Sequence, residues 1–315
     1  MPRKPATLLI VITIIVCLPL SAASAMTINT HFIGGTPAEN TSGSGNLIDI
    51  VNAAARIWEA SYSDPIEITL YFGWASIGAA GNHTAEEIDG RVIVSSTLLF
   101  DNSGAISFFL DPTPYSNEEY KQRSEESQDF GGGFINTARI YHHPVGEAAG
   151  HVDLLSVALH EIGHALGLSS ANPSFAAISS YGVIEITQDL PYAGTLAPLA
   201  YNNFGIVPHI DATEVAYGCL MCGVNSDERR IPSALEIVTI ARISGFTVAN
   251  VYPHSDSWTA EENFAADLPP LPGPELSDAR ENSSNTVMPQ KSDARSTLTR
   301  VFYELIESLR ANRSK

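Results

Sequence analysis

Apolar residues recur at helical spacing from Leu47 and Ile48 through Val51, Ala54, Ala55 and Trp58, which predicts a helix closed off by Pro65. The run Ile66-Glu67-Ile68-Thr69-Leu70-Tyr71-Phe72 then alternates and is rich in β-branched residues, the pattern of a strand. Gly73 to Gly81 reads as a loop, Arg91 to Ser95 as a short strand, and Phe134 to Tyr141 as a further strand. Between them, residues 102–130 are polar, carry Pro112 and Pro114, and then pass into an acidic stretch read as helix. Residues 154–166 are apolar on nearly every side, as in a buried helix, with Asp153 as its N-cap and Gly167 as its stop. Residues 169–230 read as loops with short strands. Pro232 to Ile243 forms a second clear helix, proline in its first turn and Gly245 past its end. The polar, Gly/Ser/Thr-rich residues 26–45 read as a mobile opening segment.

The two ends differ from this body. Arg3 and Lys4 precede an apolar run from Leu8 to Leu20, followed by Ala23-Ser24-Ala25. This is the pattern of a cleaved signal peptide over residues 1–25, and the run falls short of the ~20 apolar residues of a membrane span. The expected product is secreted or periplasmic, with no transmembrane segment once the signal is removed. Cys17 leaves with the signal, so only Cys219 and Cys222 remain. Residues 26–252 read as one domain. Pro269, Pro270, Pro272 and Pro274 then stiffen a linker over 253–292. Leu298, Val301, Phe302, Leu305 and Leu309 mark one face of an amphipathic helix over 293–315.

Composition narrows the partners. Lys and Arg number 17 against 35 Asp and Glu, a formal charge of −18, so a phosphate backbone would be repelled and nucleic acid is excluded as a partner. With 44% hydrophobic residues the chain can bury a core of ordinary size. The sequence specifies no oligomeric state.

The chemistry concentrates in His160-Glu161-Ile162-Gly163-His164. On a helix, residues four apart share a face about 6 Å apart along the axis, so the two imidazoles can grip one ion. At the ~2.0–2.1 Å of a zinc–nitrogen bond that ion can be Zn2+. Glu161 points to one side of that pair. It is placed to act as general base on a water at the metal rather than as a ligand. Catalytic zinc requires a third protein ligand and an open fourth position.

The longer segment His160-Glu161-Ile162-Gly163-His164-Ala165-Leu166-Gly167-Leu168 resembles the zinc-binding helix of the metzincin clan of metalloproteases, the matrixin type in particular. Those enzymes place a third His or Asp three residues after the glycine, where this chain has Ser170. Leishmanolysin-like metzincins bring the third histidine after a long insertion, a dozen or so residues before a methionine turn. Here Met221 lies twelve residues after His209. The resemblance therefore implies His209 as third ligand, with Asp211 next, and Met221 as the floor beneath the metal. Glu185, twenty-one residues after His164, matches the thermolysin-like spacing, but its β-branched surroundings read as strand rather than helix. The implied fold is α+β: a twisted mixed sheet, an active-site helix and a C-terminal helical subdomain. The implied activity is a secreted zinc metalloendopeptidase acting on protein or peptide substrate, with Glu161 as base. A substrate-pairing edge strand is expected around Arg139–Tyr141.

Two other readings stay open. One is an inert secreted zinc-binding module whose site is closed by Asp211 or a cysteine. The other is a structural secreted protein with incidental helix histidines. Cys219 and Cys222 suggest first a local disulfide, then zinc ligation, and last a redox pair. His142 and His143 read as rim residues, His151 as a helix-entrance residue, and His31, His83 and His254 as solvent-exposed.

Overall fold

A computed structural model describes residues 26–252 apart from Tyr217. The expected signal peptide, Pro-rich linker and C-terminal helix, together with His254, lie outside the described residues.

The elements in chain order are β1 (Thr27–Gly34), α1 (Leu47–Glu59), β2 (Glu67–Ala75), β3 (Gly81–Asp89), β4 (Val92–Asp101), β5 (Phe108–Phe109), β6 (Tyr120–Asp129), β7 (Phe134–Pro144), β8 (Val152–Asp153) and α2 (Leu154–Ala165). They continue with α3 (Pro173–Ile178), β9 (Val183–Glu185), β10 (Leu196–Asn202), β11 (Gly205–Ile210), β12 (Glu228–Arg230) and α4 (Ala234–Ser244). The architecture is α+β. The main sheet runs β1-β2-β4-β3, parallel except for β3, which pairs antiparallel to β4 at the sheet edge. Smaller sheets are β12-β7-β6 and β11-β10-β9. No helix among the described residues is long and apolar enough to cross a membrane.

The two central helices are fixed by their ends and by one tryptophan. Asn46 caps α1 by accepting from the Asp49 backbone, and Asp153 caps α2 by accepting from the Ser156 backbone. The Trp58 indole donates to the Leu159 carbonyl over 2.9 Å, binding α1 to the middle of α2. Arg229, fully buried, reaches both Asp153 at 2.8 Å and Asp111 at 2.5 Å, so the cap of α2 is itself held by β12. Every residue of α2 is buried, which is why its sequence shows little polar face.

Several expectations change. The opening segment is not mobile: β1 pairs in parallel with β2 and buries Met26 and Ile28 in the core. The acidic stretch is β6 rather than a helix, because its backbone is taken up along most of its length by β7, while its alternate charged side chains face solvent. The loop after Phe72 is shorter than expected, since β2 runs to Ala75 and β3 begins at Gly81. Helix α4 starts at Ala234, two residues after Pro232, because Ser233 and Glu236 form a capping box there.

Candidate metal centre

The three histidines of the sequence argument come together. Nε2 of His160 lies 3.1 Å from Nε2 of His164 and 3.2 Å from Nε2 of His209. Their ligand atoms fall within 4.8 Å of one another and form a group able to hold a metal ion. A tetrahedral ion with bonds of ~2.0–2.1 Å sets its nitrogens about 3.3 Å apart, close to this spacing.

The backbone prepares these rings. His160 Nδ1 sits 2.9 Å from the Leu220 carbonyl, and His164 Nδ1 sits 2.6 Å from the Leu168 carbonyl. A carbonyl only accepts, so each Nδ1 carries the proton and each Nε2 presents a lone pair. Two lone pairs facing each other at 3.1 Å repel unless a cation lies between them. Burial, with His209 adding to it, pushes His160 down to about 4, so a proton does not fill that role near neutrality. Burial also holds His164 and His209 below the usual imidazole range. The donor set is therefore chemically fit for a divalent metal.

Local structure explains each placement. His160 and His164 are one turn apart on α2. Gly167, with φ of +137°, turns the chain so that the Leu168 carbonyl returns beneath His164; a side chain there would strike Ser244. His209 comes from the end of the β10–β11 hairpin. Met221 lies in a short 3-10 turn, Leu220–Cys222, fully buried under the helix. A Cβ at Gly163 would sit 2.5 Å from the Met221 sulfur, so glycine inside the motif is what lets the methionine approach. The turn is pinned by Glu236 of α4, which accepts from the Met221 backbone, and by Arg230, which donates to the carbonyls of Cys219 and Gly223. Cys219 and Cys222 are joined as a disulfide across it.

Glu161 lies against the main sheet. A Cβ at Gly81 would sit 2.5 Å from its Oε1, so the start of β3 must be bare for the carboxylate to fit. The carboxylate has no hydrogen-bond partner among the described residues, and burial pushes it up to about 8. Together with His160, His164, His209, His83 and Ser170 it lines a cleft of about 380 Å³.

The Glu161 shift gives a pH-dependent expectation. In the metal-free protein this carboxyl titrates near 8, whereas in the unfolded chain it titrates at about 4.3. Its contribution to stability is full below the unfolded value and is lost as pH rises through the folded one. Metal-free Glu161→Gln is therefore expected to melt several degrees above metal-free wild type at about pH 9, with the two nearly matched at about pH 4.5. Calorimetry in a chelator checks this, and a pH-independent difference would contradict it.

The other candidates fall elsewhere. Asp211 Oδ1 is engaged by the backbone and hydroxyl of Thr213, at 2.9 and 2.7 Å. Glu185 is exposed on β9. Neither joins the metal group. Arg139–Tyr141 cannot be the substrate-pairing edge: in β7 Tyr141 is paired with Arg123 on one side and Arg229 on the other. Among the described residues, the sheet edge left unpaired beside the cleft belongs to β3 instead. His83 is not solvent-exposed as expected. It is half-buried in the cleft wall, its ring 6.2 Å from that of His164. His142 bonds Ser124 and His151 bonds Ser107, while His31 stacks on Tyr71 at the surface. The notable residues to which the sequence assigns no part in the site are Gly81, Arg229, Arg230 and Glu236. Only Glu236 had a local signal, three residues after Ser233 ahead of an apolar run.

Comparison of the chain with models of known protein families, with characterised proteins and with solved structures finds no match.

Proposed function

We propose that the protein is a metzincin-like zinc endopeptidase acting outside the cytoplasm. The observation that carries this reading is the convergence of three imidazole nitrogens beside a carboxylate that has no hydrogen-bond partner among the described residues, in one cleft. His160, His164 and His209 would hold the zinc, leaving a fourth position towards the cleft. When bound, zinc supplies a Lewis acid that polarises a carbonyl and lowers the pKa of water to ~7. Glu161 would accept the proton of the attacking water and hand it to the departing amine, and a cation held by the three histidines would favour the ionised carboxylate that this requires. The unpaired edge of β3 orients an extended substrate by backbone pairing. The Cys219–Cys222 disulfide fits an oxidising compartment, as does the signal-like N-terminus.

The inert, closed-site reading gains no support from its proposed fourth ligands. Asp211 is occupied by Thr213, and both cysteines are spent on each other. Purified protein is expected to cleave unfolded casein or a quenched peptide library, to stop in 1,10-phenanthroline, and to recover on zinc addition. Cleavage indifferent to the chelator, or zinc-loaded protein that cleaves nothing, would contradict the proposal.

A further inference from the structure

His83 is left unused by this scheme, yet its surroundings are built. Side chains alternate along β3, so Gly81, His83 and Ala85 share the face turned inward. That face lies along the working side of α2: Gly81 meets the Glu161 carboxylate and His83 meets the His164 ring. His83 Nε2 is 3.0 Å from Oγ of Ser96, a hydroxyl on β4 that is wholly buried. Neither group has another side-chain partner among the described residues. If Nε2 donated to Ser96, the buried hydroxyl hydrogen would be left without an acceptor, a costly arrangement. The hydroxyl therefore donates to Nε2, and the proton of the neutral ring resides on Nδ1. Among the described residues Nδ1–H then has no acceptor, in a ring that lines the cleft.

We propose that His83 is a further catalytic residue: held by Ser96, it donates Nδ1–H to the scissile carbonyl oxygen as that oxygen gathers negative charge. This rests on the hydrolytic reading above. A donor fixed in advance where charge develops lowers the barrier without strengthening ground-state binding. The competing role is a fourth metal ligand, but the nitrogens of His83 fall outside the group formed by His160, His164 and His209.

The test compares zinc-loaded wild type, His83→Ala and His83→Gln on one peptide, with zinc per chain measured on each. His83→Ala is expected to lose ~100-fold in kcat with KM within about threefold and zinc unchanged. His83→Gln, which keeps an N–H donor, is expected to regain about tenfold of that loss. A kcat within about threefold of wild type in His83→Ala would overturn the inference while leaving the hydrolytic reading intact. Loss of zinc from His83→Ala would also overturn it, making His83 a ligand. Wild type that hydrolyses nothing would defeat the hydrolytic reading and this inference together.

Discussion

Glu161→Gln is expected to lower peptide hydrolysis by ~1,000-fold or more while leaving the metal in place. The side chain lies beside the three imidazoles but outside their ligand group, so it contributes nothing to holding the ion. What it offers is a carboxylate with no partner of its own, pressed against the bare backbone of Gly81 in the cleft wall. Glutamine matches its shape and removes its capacity to take a proton. The same change relieves a buried charge, so the inactive variant is expected to be the more stable of the two when metal-free at alkaline pH. Steady-state rates with zinc content measured in parallel decide the matter. Wild-type turnover in the variant would remove Glu161 from the reaction.

His209→Ala is expected to weaken metal affinity by more than ~100-fold and to abolish hydrolysis with it, since removing a ligand exceeds the loss seen when a ligand's supporting hydrogen bond is removed. Its nitrogen completes the triangle with His160 and His164, and no carboxylate among the described residues stands in for it. Asp211→Asn and Glu185→Gln are expected to bind metal as wild type does, because Asp211 serves Thr213 and Glu185 faces solvent on β9. Titration against a chromophoric zinc chelator measures all three. Retained affinity in His209→Ala, or its loss in either acidic variant, would reassign the third ligand.

The motif helix is legible in the sequence because its determinants are local: an N-cap at Asp153, apolar residues around every turn, and Gly167 where the chain must reverse. His209 is legible only through its spacing to Met221, since the hairpin that delivers it shows weak alternation and contains Pro208. The cleft wall is not legible. Gly81–Asp89 has no apolar face to mark it as a strand, because its outer side is solvent and its inner side is glycine, histidine and alanine. The place of His83 depends on its register opposite Leu98 of β4, a non-local pairing that no window of sequence contains. Likewise β6 resembles a charged helix until β7 takes up its hydrogen bonds. The strand expected to pair with substrate, in β7, is buried despite its Asn136, Thr137 and Arg139, because it is an inner strand with neighbours on both sides.

His160, His164 and His209 are proposed to hold one zinc jointly, with a position left open. X-ray absorption at the zinc edge of the purified protein tests it most directly. One zinc per chain is expected, with three imidazole nitrogens at ~2.0 Å and one further light atom that exchanges with added inhibitor. A site showing sulfur scattering, or four imidazoles and nothing exchangeable, would contradict it.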